Sequence, residues 1–163
     1  MKSFLAVLVI FLSFTLLTLS SPLPTQKGRY ASVKFDGRVK GTIQFYKDAG
    51  KQATTVTVKI YSGLTNLTGL YPYHIHQLPV PKSGNCTLAG AHLSPNGYPD
   101  GAPCDPATAY ACQEGDLSGK HGKLPGSKKV VSRQYEDPFL QWDDPNATIL
   151  GRSIVIHYPN GKY

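Results

Sequence analysis

Val56, Val58 and Ile60 alternate with Thr55, Thr57 and Lys59 in an unbroken period of two. Successive side chains of an extended chain point to opposite faces, so this run lays its branched apolar residues on a core only as a β-strand. Two shorter segments read the same way. Ala31, Val33 and Phe35 alternate with polar neighbours before an Asp36-Gly37 turn, and Ile43 and Phe45 alternate within 41–46. A strand is also expected over 73–77 and a weaker one over 130–135, while 149–157 is apolar on both faces, as a buried strand would be. No segment keeps a helical period for more than a turn, and 16 Gly and 13 Pro punctuate the chain. Many short strands between such turns predict an all-β sandwich or barrel.

The 163 residues predict one folded domain, preceded by a leader. Lys2 gives a positive start, Phe4 to Leu19 is almost wholly apolar, and small residues near Thr18 and Ser20 offer a cleavage site. Residues 1–20 therefore read as a secretory signal peptide and 21–163 as the mature domain. The run is short for a membrane span, and no second one exists, so a secreted, extracellular protein is expected. The net charge of +7 draws small anions or cell-wall polyanions. Its basic residues are dispersed along the sequence without interleaved aromatics, which argues against nucleic acid.

Secretion favours disulfides. Of the three cysteines, Cys104 and Cys112 bracket the short run Asp-Pro-Ala-Thr-Ala-Tyr-Ala and form the natural pair. Cys86 is left as a free thiol, half of an intermolecular bridge, or the partner of sequence not present. Asn66 and Asn146 open glycosylation triplets; Asn85 opens a weaker one because Cys86 is its middle residue. The stretch from His76 to Leu117 is rich in Gly, Pro and Asn and reads as one long loop stapled by the Cys104–Cys112 bridge.

The chain has only five histidines, and four are placed for a metal. His74 and His76 lie two apart on a strand and so share a face. His92 follows on the loop and can fold over them, and His157 ends the last apolar strand. Four imidazoles suit copper, with zinc as the alternative occupant. His121, in Ser-Gly-Lys-His-Gly, reads as an exposed turn residue.

These motifs together resemble the copper/zinc superoxide dismutase family. Gly63-Leu64-Thr65 and Tyr73-His74-Ile75-His76 are similar to the family's approach to its first two copper ligands. Asn85-Cys86-Thr87 and Ala89-Gly90-Ala91-His92 resemble its cysteine loop and its third, labile histidine. Gly115-Asp116-Leu117 resembles a zinc-loop motif, and the stretch from Ile149 to His157 resembles the strand with the fourth ligand. The resemblance implies a Greek-key β-barrel in which His74, His76, His92 and His157 hold copper and superoxide is the substrate. His92 would also act catalytically, releasing the metal and carrying a proton.

Departures from the two-metal pattern narrow the resemblance. Asp100, Gln113 and Asp116 line up with the remaining zinc ligands, but Gln113 is a poor one. No electrostatic loop follows His157. Both features, and the run from Asp116 to Gly122, resemble the secreted copper-only dismutases of fungi. Asp116, hydrogen-bonded to His92, and Glu114 are the acidic groups expected behind the ligands. The family continues into a last strand bearing a cysteine partner for the position of Cys86 and an anion-guiding arginine. Arg152 precedes the ligand strand and reads as structural. The expected consequence is an open sheet edge prone to forming a homodimer.

Overall fold

A computed structural model describes residues 27–161. The leader assigned to residues 1–20 lies outside them. Eight strands form in chain order: β1 (Arg29–Asp36), β2 (Lys40–Lys47), β3 (Thr54–Ser62), β4 (Leu70–Tyr71), β5 (Tyr73–His76), β6 (Leu124–Pro125), β7 (Val131–Asp137) and β8 (Ser153–Ile156). A four-stranded antiparallel sheet runs β1-β2-β3-β7, so the chain leaves after β3 and returns to pair β7 beside it. The pairs β5-β8 and β4-β6 complete the strands.

Register follows from the alternation in the sequence. Ile43 faces Val58 and Phe45 faces Val56 across β2 and β3, and all four are buried. Tyr73, Ile75 and Ile154 close the core from β5 and β8, with Leu93 and Leu140 supplied by loops and Leu117 by a short helical turn. Trp142 is buried against them because its indole N–H donates to the Thr54 hydroxyl at 2.9 Å, leaving no orphaned donor.

The loop after β5 is more ordered than its composition indicates. It contains 3₁₀ turns at Cys86–Ala89 and Pro106–Ala111, and the Cys104–Cys112 disulfide ties the second. A short helix, α1 (Leu117–His121), follows, where the periodicity gave none. Asp116 nucleates it by capping the Gly119 amide at 2.6 Å. Backbone pairing docks the loop on β5: the Ile75 N–H donates to the Gly115 carbonyl, the Gly115 N–H to the Leu93 carbonyl, and the Leu93 N–H to the Ile75 carbonyl. A Cβ at Gly115 would collide with the Ile75 carbonyl, so the approach requires glycine. The ligand strand expected over 149–157 is shorter, Ser153–Ile156, because Arg152 turns aside to bond the carbonyls of Gln77, Asn146 and Thr148.

β1 and β8 border an open groove of about 700 Å³, lined by Val33, Phe35, Ile154, Ile156 and the free Cys86. Among the described residues no helix is long and apolar enough to cross a membrane.

His121 is not an exposed turn residue. Its ring stacks on Tyr135 at 4.0 Å and its Nε2 lies 2.9 Å from Asp137. The same carboxylate takes the Lys120 ammonium at 2.7 Å with both side chains fully buried, and that ammonium also donates to the Glu114 carbonyl. Asp137 has no distinguishing mark in the sequence, because it closes a strand like any turn residue.

Glu114 is buried with its carboxylate turned to the Gln141 N–H at 2.9 Å. Burial raises its carboxyl from 4.5 to about 7, partly countered by the Gln141 amide and Lys120. Between those values the unfolded chain has lost this proton and the folded chain keeps it, so folding weakens as pH rises through that window. Glu114→Gln is expected to stabilise the metal-free protein by about 1–2 kcal/mol at pH 8 and by almost nothing at pH 5, because each tenfold difference in proton affinity between the folded and unfolded chain is worth about 1.4 kcal/mol. Urea unfolding at both pH values checks this; equal effects at both would refute it.

Candidate metal centre

β5 presents His74 and His76 on one face while Tyr73 and Ile75 enter the core on the other. β8 pairs with β5 so that Tyr73 opposes Ile156, and the next residue, His157, is held by its N–H to the Pro72 carbonyl. The docked loop brings His92 beside His76 through a backbone bridge. The four side chains each offer one ring nitrogen, and these nitrogens lie within 4.8 Å of one another. Ring centroids are 3.9 Å apart for His74 and His92 and 4.8 Å for His74 and His157. His76 Nε2 lies 3.3 Å from His157 Nε2.

Outer contacts fix the tautomers of three rings. His76 Nδ1 donates to the Gly90 carbonyl at 2.8 Å, which turns the Nε2 lone pair inward. His92 Nδ1 donates to Gln113 Oε1 at 2.7 Å, with the same result. His74 is reversed: Nε2 meets the Ser118 hydroxyl at 3.0 Å and Asp116 at 3.4 Å. Its Nδ1 is left buried without a partner. A buried lone pair with no donor costs free energy unless something electrophilic occupies the space it faces.

Electrostatics agree. Burial first, and then the neighbouring imidazoles, lower the His74 ring to about 2. Burial and then His76 lower His157 to about 4, and burial also lowers His76. These rings are neutral at physiological pH and carry the lone pairs that a cation needs. The donor set, four imidazoles without carboxylate or thiolate, fits copper or zinc and not a hard cation.

The residues expected behind the ligands are partly rearranged. Asp116 stands against His74, not His92. Glu114 turns away from the histidines to Gln141. Gln113, a poor zinc ligand, is the group that orients His92, and it is held in turn by Asp100 and the Tyr98 carbonyl, each at 3.0 Å. Asp100 Oδ1 also accepts the His92 N–H. Adjacent side chains at 113 and 114 leave the backbone on opposite sides, so a one-residue shift exchanges the metal-side group for one facing Gln141. Ser118 joins the site without being among the expected residues; its signal is its place on the first turn of a helix capped by Asp116.

The family model for copper/zinc superoxide dismutase matches residues 39–163. The chain belongs to this family. It is 40% identical over 128 residues to Cu-Zn cell surface superoxide dismutase 6 of Candida albicans, covering 77% of this chain and 38% of that protein. Cell surface Cu-only superoxide dismutase 5 of the same organism is 36% identical over 125 residues, covering 76% and 51%. The chain thus spans roughly two-fifths to half the length of these curated relatives. The solved Cu(II) structure of Candida albicans superoxide dismutase 5 superposes with a TM-score of 0.67 at 32% identity, covering 83% of this chain and 86% of that one. The fold is therefore the superoxide dismutase β-barrel, and the resemblance to the copper-only, fungal-type members holds.

Within this family the Gln113–His92 contact yields a prediction. Gln113→Ala frees His92 Nδ1 and should weaken copper binding by about 10–100-fold, the usual effect of losing a group behind a ligand. Competition titration against a chelator of known affinity measures it, and unchanged affinity would refute the orienting role.

Proposed function

We propose that the chain is an extracellular copper-dependent superoxide dismutase. The unpartnered, buried Nδ1 of His74, in a group of four imidazole nitrogens within 4.8 Å, supports this most directly. His74, His76, His92 and His157 hold the metal. A bound copper ion supplies one-electron chemistry: one superoxide is oxidised to dioxygen, and a second is reduced and leaves with two protons as hydrogen peroxide. Gly90, Gln113 and the Ser118–Asp116 pair keep the outer ring nitrogens of His76, His92 and His74 engaged, so the inward lone pairs hold their direction. His92, on a loop and partly open to solvent, is the ring that takes a proton on Nε2 and passes it to the reduced substrate. The positive net charge raises the encounter rate with the anion.

Residues 1–20 act as the secretory leader, and Asn66 and Asn146, both exposed, accept glycans. Treatment of the secreted protein with an endoglycosidase should lower its mass, and N-terminal sequencing should begin near residue 21. Among the described residues β1 and β8 are each paired on one side only, and these edges pair with a second copy; sedimentation velocity reporting only monomer would exclude that.

The deciding experiment loads purified protein with copper and compares superoxide decay with a free-copper control containing chelator. Decay far above the control and one copper per chain are expected. Zinc retained in preference to copper, with no decay above control, would overturn the enzyme reading in favour of a metal-binding protein without turnover.

A further inference from the structure

Lysines dispersed in the sequence converge on the outer face of the four-stranded sheet. Lys34 of β1 and Lys59 of β3 flank Thr42 of β2 in one cross-strand row, which Ser132 of β7 extends. Lys40 opposes Ser62, next to Tyr61. Lys128 and Lys129 share with Tyr61 a hollow of about 370 Å³. All five lysines are exposed, and Tyr61 is 52% exposed. Among the described residues none of the five has an ion-pair partner, whereas Arg29, Lys51 and Lys120 each have one. Asp36, opposite Lys40, is the nearby acidic group on this face; Glu136 stands at the far end, beside Thr55. The patch lies on the β1-β2-β3-β7 sheet, while the β-strand histidines lie on or directly after the strands of the β5-β8 pair, so the metal chemistry leaves it unused.

We propose that this face is a docking site for an anionic polysaccharide. Unpaired ammonium groups on a flat, pleated surface attract a polyanion without having to break internal ion pairs first. Lys34 and Lys59 sit two strands apart, about 10 Å, a span that an extended glycan charged on every disaccharide can follow. Tyr61 supplies a flat apolar ring against which a sugar can rest, with its hydroxyl at the wet edge. The hydroxyl of Thr42 lies between Lys34 and Lys59, and those of Ser62 and Ser132 lie beside Lys40 and Lys59, as hydrogen-bond partners. Nucleic acid fits less well, because the other exposed rings of this face, Tyr30 and Tyr46, pair at its far end beside Thr55 and leave Tyr61 alone among the lysines, so successive bases have no row on which to stack. Docking here would tether the protein to a charged matrix while leaving its histidine cluster facing elsewhere.

The test uses the whole secreted chain, loaded with copper, and calorimetric titration. The probes are a heparin oligosaccharide (sulfated) and polygalacturonate (carboxylated), beside neutral laminarin, phosphatidylserine vesicles and an oligonucleotide. Binding to at least one anionic polysaccharide is expected, with affinity falling as salt is raised. The triple variant Lys59→Glu, Lys128→Glu, Lys129→Glu should lose at least about 10-fold, since each exposed charge contact contributes modestly and three reverse sign. A control triple with the same charge change elsewhere, Lys47→Glu, Lys51→Glu, Lys82→Glu, should lose less than a third as much. Thermal unfolding of the first triple should be unchanged, and its dismutation should match that of the control triple, which carries the same net charge; if it unfolds, the three Lys→Gln changes replace it. Equal losses in both triples, laminarin bound as tightly, or vesicles or oligonucleotide bound more tightly than both polysaccharides would each overturn the proposal.

Discussion

His157→Ala is expected to abolish stoichiometric copper retention and to cut dismutation by more than about 100-fold, because losing a ligand outright exceeds the 10–100-fold cost of disturbing a group behind one. His157 is the informative position of the four. His74 and His76 come from one strand and His92 from the loop docked on it, so those three converge locally. His157 comes from the distant end of the chain and reaches them only because β8 pairs with β5 and Pro72 fixes its backbone. The alanine variant keeps that backbone bond and the β5–β8 ladder, so the fold should survive. The burial that lowers the His157 ring to about 4 also means that a protonated ring is unfavourable there, so removing it relieves the metal-free protein in mild acid. Metal analysis, superoxide decay and circular dichroism together read the result. One copper per chain with full activity in His157→Ala would remove the four-imidazole site from the account.

The parts of this protein that are legible in its sequence are those where one residue's type and its neighbours two away decide the outcome. The β2–β3 register follows from Ile43, Phe45, Val56 and Val58, and the shared face of His74 and His76 follows from the same alternation. Loop geometry is not legible in that way. Nothing local distinguishes Gln113 from Glu114 as the partner of His92, because the choice depends on where the Gly115 backbone docks against Ile75. The sequence pairs Asp116 with His92; in the fold it is a helix cap, and that role fixes its direction toward His74. The glycines around His121 suggest exposure, yet Tyr135 and Asp137 arrive from a strand remote in sequence and cover it. Contacts of that range carry no periodic signature.

Lys120→Met is expected to destabilise the protein by about 3–5 kcal/mol at pH 7.5, the usual cost of leaving one member of a buried ion pair uncompensated. Burial by itself raises the Asp137 carboxyl, but His121, Lys120 and the Phe139 N–H outweigh it and hold the group below the ordinary range. Methionine fills the volume beside Phe139 and removes the charge, so the loss is electrostatic and not a cavity. Since the folded Asp137 is held below its ordinary value, its contribution is present at neutral pH and fades as pH falls through that lowered value. In Lys120→Met that support is weakened at neutral pH, so the gap between variant and wild type should narrow on acidification. Pairing the change with Asp137→Leu removes both charges and should recover at least about 1 kcal/mol relative to the sum of the single changes, the coupling expected of residues in contact. Urea unfolding of the four metal-free proteins gives the cycle; a cost below about 1 kcal/mol for Lys120→Met would mean that His121 and the Phe139 N–H satisfy Asp137 without it. The consequence reaches the histidines. Lys120 anchors α1 to the barrel through Asp137 and the Glu114 carbonyl, and α1 begins with the Asp116 and Ser118 that orient His74. A helix loosened at Lys120 should therefore also bind copper more weakly, although Lys120 itself makes no contact with the ligands.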